Sequence, residues 1–282
     1  MRKRNNFISV FTMFLAIGFV IIFSRPVKAA ANGVQLKANR TYTAYDVTGD
    51  GMKDKIRIRA ANPTDDETYT SLTVSVNGKT AYRLKNTRFY NVIANIYRLK
   101  NGQPFLYLYA PADNGDGPVC ALLKYTNGKF RKALDFTEIM AGYGNHRIGE
   151  VTNLNGNKIV ITESIVSYSL GINAINFTYK YVNGKFVPTS RYGSYKEIYS
   201  ADGSSRYFTV NSDLPAYTRP GATAVNTTLK TGSLTKIIKC ALINGKMYIQ
   251  LECDGEIYWI KALENPPIAD NERQFMEVRY AG

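Results

Sequence analysis

The chain predicts an all-β protein, and three observations carry that prediction. Asn-Gly dipeptides recur at Asn77-Gly78, Asn101-Gly102, Asn127-Gly128, Asn155-Gly156, Asn183-Gly184 and Asn244-Gly245. This pair is the strongest short hairpin signal, because both central residues of the turn need positive φ. Between the turns lie short alternating runs, such as Ile56-Arg57-Ile58-Arg59, Leu72-Thr73-Val74-Ser75-Val76 and Ile159-Val160-Ile161-Thr162, with the period of a half-buried strand. The 21 tyrosines suit such strands. Only residues 135–141 read as a short helix.

The turns have a period. Asp50-Gly51, Asn101-Gly102 and Asn155-Gly156 align as one turn, and Asn77-Gly78, Asn127-Gly128 and Asn183-Gly184 as a second. Residues 125–130, Tyr-Thr-Asn-Gly-Lys-Phe, nearly repeat at 181–186 as Tyr-Val-Asn-Gly-Lys-Phe. A unit of about 50 residues with four strands is the size of a propeller blade. Roughly three units fit between residues 37 and 192, fewer than the four to eight of a closed propeller. An incomplete, propeller-like arrangement is one expectation; a β-sandwich or barrel whose hairpins share turn chemistry is the other.

Residues 1–30 read as a signal peptide. Arg2, Lys3 and Arg4 precede an apolar run over residues 7–23, and Val27-x-Ala29 and Ala29-x-Ala31 offer small-residue cleavage sites. The run is marginal against the roughly 20 residues of a membrane span, so contact with a membrane is expected only through an uncleaved leader. The expected location is extracellular or wall-associated. There calcium is available and nucleic acid is not an expected partner.

The charge is uneven. The chain carries a formal +14. Residues 31–206 hold 23 Lys and Arg against 14 Asp and Glu, whereas residues 207–282 hold 8 of each. The excess belongs to the N-terminal part, which suits attraction to anionic polymers or surfaces; dispersed solubilising lysines are the alternative. Cys120, Cys240 and Cys253 form no Cys-x-x-Cys pair, and His146 is the only histidine, so a Cys/His zinc site is not supported. With Asn244-Gly245 as a two-residue turn, Cys240 faces Ile249 and Cys253 faces Lys236. That offset is too long for a disulfide.

Residues 46–54, Asp-Val-Thr-Gly-Asp-Gly-Met-Lys-Asp, place oxygen side chains at Asp46, Thr48, Asp50 and Asp54, with Gly51 where the chain must turn and the Met52 carbonyl as a further ligand. This spacing suits calcium, which takes six to eight oxygens. Arg57 stands where an EF-hand requires Glu, and a strand follows, so the loop is no EF-hand. It resembles the calcium loops of integrin-alpha and VCBS-type β-propeller repeats. Asp46, Asp50 and Asp54 match that pattern, and Thr48 replaces its usual Asp or Asn. The resemblance implies a structural calcium; a plain Asp/Gly turn is the alternative. Residues 113–117 form a second acidic loop that reads as a plain turn.

The C-terminal segment, residues 207–282, carries Leu214-Pro215-Ala216-Tyr217-x-x-Pro220-Gly221, Leu229-Lys230-x-Gly232-x-Leu234, residues 245–251, and Asp254-Gly255-x-x-Tyr258-Trp259-Ile260-Lys261-Ala262. In this order it resembles the bacterial SH3-like domain, with Met247 in place of a usual Trp and Tyr258 in place of a usual Gly. The resemblance implies a small barrel that binds wall peptide or glycan, with Tyr217, Tyr248 and Trp259 as the ligand platform; core packing is the alternative role for these rings. Residues 275–280 alternate and are expected to add a last strand.

The expected organisation is thus a leader at 1–30, an all-β repeat domain at 31–206 with the calcium-type loop, and an SH3-like domain with tail strand at 207–282. No Gly-x-Ser-x-Gly elbow accompanies His146, which reads as a solvated loop histidine, and no spacing singles out a carboxylate pair. The expected function is that of a non-catalytic, secreted binding protein of the bacterial envelope, recognising wall peptide, glycan or anionic polymer. Docking to a surface protein is the alternative, and a secreted hydrolase a further one.

Overall fold

A computed structural model describes residues 33–64, 67–113, 117–200 and 203–280. The expected leader and the centre of the second acidic loop, residues 114–116, lie outside the described residues. The described chain is all-β and contains three consecutive four-stranded antiparallel units. The first holds β2 (Thr41–Tyr45), β3 (Asp54–Pro63), β4 (Tyr69–Val76) and β5 (Lys79–Phe89). The second holds β6 (Ile93–Arg98), β7 (Pro104–Ala110), β8 (Val119–Thr126) and β9 (Lys129–Asp135), with β1 (Val34–Leu36) paired to the free edge of β6. The third holds β10 (Gly144–Asn155), β11 (Lys158–Ser167), β12 (Gly171–Val182) and β13 (Lys185–Pro188).

The turn alignment read from the sequence is what joins these strands. Asp50-Gly51 and Asn101-Gly102 sit between the first two strands of their units and Asn155-Gly156 at the end of β10 where it turns into β11, and Asn77-Gly78, Asn127-Gly128 and Asn183-Gly184 lie between the last two. In the second set Asn77, Asn127 and Asn183 have φ of 50°, 50° and 48°. Such left-handed turns match strand twist, and Asn tolerates them.

The units stack face to face. Every residue of β7 is buried, because the second sheet is covered on both sides. Leu106, Leu108, Ala110, Ala121 and Leu123 point to the first sheet, where Ile56, Ile58, Leu72 and Val74 meet them. Phe105, Tyr107, Tyr109, Cys120 and Leu122 point to the third, against Val151, Ile159, Ile161 and Phe177. A strand buried on both faces reads as a continuous apolar run, as Pro-Phe-Leu-Tyr-Leu-Tyr-Ala does.

The remaining strands are β14 (Tyr192–Ser200), β15 (Gly203–Ser204), β16 (Tyr207–Thr209), β17 (Leu214–Ala216), β18 (Thr227–Leu229), β19 (Leu234–Ile243), β20 (Lys246–Cys253) and β21 (Glu256–Lys261). β14 pairs with β12 on one edge and with β19 on the other. The third sheet therefore runs across residue 206 into the C-terminal module, and one core continues through both. The β17–β18 hairpin attaches to β21 through Tyr217 N–H to Trp259 O (2.8 Å) and Trp259 N–H to Tyr217 O (2.9 Å). The expected barrel is not closed: the edge of β19 that closure would need is taken by β14 and β16.

Three local expectations are corrected. The helix at 135–141 is a single 3-10 turn, Phe136–Glu138, whose cap Asp135 accepts from Thr137 N–H and Oγ1. The tail is no strand but makes isolated bridges, Val210 to Phe275 and Ser200 to Val278. A register shift between Ile237 and Lys239 puts Lys236 opposite Glu252 rather than Cys253, while Cys240 does face Ile249; all three cysteines are buried thiols.

The tail works as a strap. Phe275 is fully buried against Phe208, with ring centroids 5.7 Å apart. Glu277 accepts from Thr209 N–H (2.7 Å), Arg279 O accepts from Ile172 N–H (3.0 Å), and Tyr280 OH donates to Tyr168 O (2.8 Å). Phe275→Ala removes the ring that seats this strap. Buried Phe truncations cost about 3–5 kcal/mol, so urea unfolding of Phe275→Ala is expected to show a loss of that size with an unchanged m-value.

Candidate functional site

The outward face of the third sheet is polar by strand alternation. Thr162 and Asn176 stand opposite each other in register and are joined by Thr162 Oγ1 to Asn176 Oδ1 (2.7 Å). Thr178 and Val160 form the next cross-strand pair. β14 closes one side. It alternates Tyr192, Ser194 and Lys196 outward with Gly193 and Tyr195 inward. Gly193 is needed for this approach: a β-carbon there would lie 2.4 Å from the Phe177 ring. The result is a hollow of about 310 Å³ lined by Val160, Asn176, Thr178, Thr189, Ser190, Tyr192, Gly193, Ser194 and Lys239.

An aromatic and cationic wall borders the hollow. Tyr192 is 37 % exposed, and its ring centroid is 5.9 Å from that of Trp259, with the planes at 35°. Lys239 Nζ lies 4.6 Å from the Tyr192 centroid and 5.9 Å from that of Trp259, and the Arg191 guanidinium is 5.4 Å from Tyr192. Lys261 Nζ sits 5.2 Å from the Tyr217 centroid. A cation held at such distances is attracted by the ring quadrupole, which keeps Lys239 beside the hollow.

Tyr217, Tyr248 and Trp259, the ring set expected as a platform, do come together. They pack with Ala241 into one cluster and are only 6 %, 5 % and 4 % exposed. Trp259 lies beneath Tyr192, the three rings present no open surface, and Met247 is also buried in the core. Tyr192 was not singled out from the sequence. Its signal was the alternation of β14, which places one tyrosine on the face with Ser194 and Lys196.

The Asp46 loop closes on its own backbone. Asp46 Oδ1 accepts from Gly49 N–H (2.6 Å) and Oδ2 from Gly51 N–H (2.9 Å); these bonds, Gly49's foremost, hold the carboxyl below its usual pKa. Asp50 accepts from Met52 N–H (2.8 Å). Asp54, 1 % exposed, accepts from Val47 N–H (2.7 Å), Thr48 N–H (2.9 Å) and Asn77 Nδ2 (2.6 Å). Donors that point into a carboxylate disfavour a cation at the same oxygens. Among the described residues no three Asp, Glu, His or Cys side chains converge to hold a metal ion. As arranged, the loop's carboxylates accept from its own backbone donors, and a calcium ion would draw Asp46, Asp50 and Asp54 out of these bonds.

His146 is on β10, not in a loop. A bulge after it keeps its ring on the inner face, where Nε2 lies 3.1 Å from Glu163 Oε2. Glu163 is 0 % exposed. Burial first, and the Asp135 charge second, push its pKa well above the usual carboxylate value. Gly149 makes room, since a β-carbon there would lie 2.6 Å from Glu163 Oε1 and 2.1 Å from the Phe136 ring. Cys120 Sγ and Tyr107 OH both bond the Gly149 carbonyl, at 3.4 and 2.7 Å, and burial pushes the Cys120 thiol up to about 12. This buried pair locks the second and third sheets together.

No protein-family model, no curated protein and no solved structure matches the chain.

Two expected outcomes follow from these geometries. Because Glu163 has a raised pKa in the fold, its protonated form favours the native state. That contribution is complete below the unfolded value near 4.5 and is lost as pH rises through the folded pKa. Tm measured from pH 4.5 upward is therefore expected to fall more steeply for the parent than for Glu163→Gln, and parallel curves would contradict the assignment. At the Asp46 loop, a site of Asp46, Thr48, Asp50, Asp54 and the Met52 carbonyl is expected to raise Tm when millimolar calcium is added to chelated protein, and no rise would reject it. A rise that is lost in Asp50→Ala would show the carboxylates regrouping around the ion, since a ligand bound only by the native state stabilises it.

Proposed function

We infer that the chain is a secreted, non-catalytic binding protein of the bacterial cell envelope, and that the hollow beside Tyr192 holds wall glycan. The observation that carries this reading is the exposed Tyr192 ring on a buried Trp259 floor, beside a cavity walled by hydroxyl and amide side chains. A half-exposed ring stacks on the apolar face of a sugar, while Asn176, Thr178, Ser190 and Ser194 offer both donors and acceptors to its hydroxyls. Lys239 adds a positive charge for the carboxylates of wall peptides. The resemblance of residues 207–263 to SH3-like domains and the leader-like residues 1–30 support the same compartment and ligand class. Glu163 is fully buried, which favours a structural role for the His146 pair over acid–base chemistry on a polymer.

Sedimentation with purified, insoluble peptidoglycan tests this reading. The parent protein is expected to co-sediment, Tyr192→Ala to bind at least tenfold more weakly, and Lys239→Ala to show an intermediate loss, with circular dichroism spectra that match the parent's, so that the loss reads as binding and not unfolding. Equal binding by Tyr192→Ala would reject the hollow. Release of soluble wall fragments by the parent, abolished in His146→Ala, would replace the binding reading with that of a hydrolase.

A further inference from the structure

The first sheet has an inner face, packed on the second sheet, and an outer face on which, among the described residues, no other element packs. On the outer face β3 presents Lys55, Arg57 and Arg59, and β5 presents Arg83 and Lys85; all five are exposed. Between these lines β4 carries Ser71, Thr73 and Ser75, with Ser75 opposite Arg57, and Thr73 opposite both Arg59 and Arg83. No Asp or Glu occurs in residues 55–61, 71–75 or 80–85. Among the described residues no ion pair engages any of the five cations. The face ends in a hollow of about 340 Å³ between β5 and β9, lined by Thr80, Tyr82 and Arg83 and by Lys129 and Arg131 of the second sheet. Lys129 Nζ is anchored there on Thr80 O at 2.9 Å.

We propose that this face is a second binding surface, whose ligand is an extended phosphate polymer lying across β3, β4 and β5. Charge complementarity selects an anion, because unpaired like charges at this density are self-repelling and are relieved by a bound polyanion. The layout selects a polymer. Cations two residues apart on a strand are about 7 Å apart, and the strands carrying them are about 10 Å apart across β4, so one chain engages several at once and gains from the linkage. The central hydroxyls donate to phosphate oxygens without adding charge. A membrane surface is the poorer occupant: among the described residues the centre of the face is cationic and hydroxylated, with apolar side chains such as Ala61 and Pro63 only toward its end, and interfacial anchoring grows with buried apolar area. This surface lies on the opposite side of the stack from the Tyr192 hollow, with the second sheet between them, and it rests on separate residues.

The probe is linear polyphosphate, titrated against the purified chain at several salt concentrations. The parent is expected to bind with an affinity that falls steeply as salt rises, since each neutralised phosphate releases counterions. Arg59→Ser with Arg83→Ser and Arg131→Ser is expected to lose at least tenfold in affinity and to flatten the salt dependence, with an unchanged Tm. Lys180→Ser with Lys185→Ser, exposed cations of the third unit, is expected to lose less than twofold. Tyr192→Ala is expected to bind polyphosphate as the parent does, so failure here and failure of the glycan reading are told apart. Absent binding by the parent, an equal loss in the third-unit variant, or tighter binding to phosphatidylserine vesicles than to polyphosphate would each overturn the proposal.

Discussion

The two-sided burial of the second sheet is the constraint on which the other features depend. β7 and β8 offer aliphatic side chains to the first sheet, and the β7 aromatics with Cys120 and Leu122 to the third, so each of those sheets gains a fixed inner face. Once those inner faces are committed, strand alternation decides what each outer face carries. Arg57 and Arg59 are driven outward because Ile56 and Ile58 are driven inward, and Asn176 and Thr178 are outward because Ile175 and Phe177 pack the core. A core of this kind, dense and intolerant of volume change, also explains why Gly149 and Gly193 stand where they do. Gly149 leaves space for the Phe136 ring of the 3-10 turn and Gly193 for the Phe177 ring of β12.

The aromatic side of the second sheet does more than fill volume. Tyr107 and Tyr109 reach across to the carbonyls of Gly149 and Arg147, at the bulge that follows His146. Backbone groups freed from the β10–β11 ladder at a bulge need partners, and the tyrosine hydroxyls supply them from the neighbouring unit. The His146 and Glu163 pair lies in the same layer. It ties the stacking of the sheets to the protonation of a buried carboxyl, an expensive group to keep in a core unless it is neutral or paired.

The C-terminal module is joined to this stack by the β14–β19 ladder, by Tyr143 OH on Gly245 O, and by the tail. The ladder leaves the module open where a separate barrel would close. It also turns Tyr192 outward above Trp259 and brings Lys239 beside it. The candidate glycan hollow is thus a product of the junction, with β12 and β14 supplying the polar wall and β19 the cation.

Much of the architecture was legible in the chain. The all-β class, the three units, and the two aligned sets of turns follow from local chemistry, because Asn-Gly turns and period-two alternation depend on neighbouring residues alone. The meeting of Tyr217, Tyr248 and Trp259 was also legible as a set, but their exposure was not: burial is decided by what packs above, and here Tyr192 comes from a strand outside the module. The Asp46 loop showed its oxygen spacing in the sequence, yet Asn77 reaches Asp54 from a turn 23 residues away, and that contact exists only in the folded sheet. His146 and Glu163 are separated by one hairpin whose bulge no periodicity announces. The amino-acid sequence by itself determined most of the strands and, away from the bulges, the face each side chain takes. Tertiary structure decided which faces are covered, because coverage depends on the order in which sheets stack and on pairings, such as β14 with β19, between segments far apart along the chain.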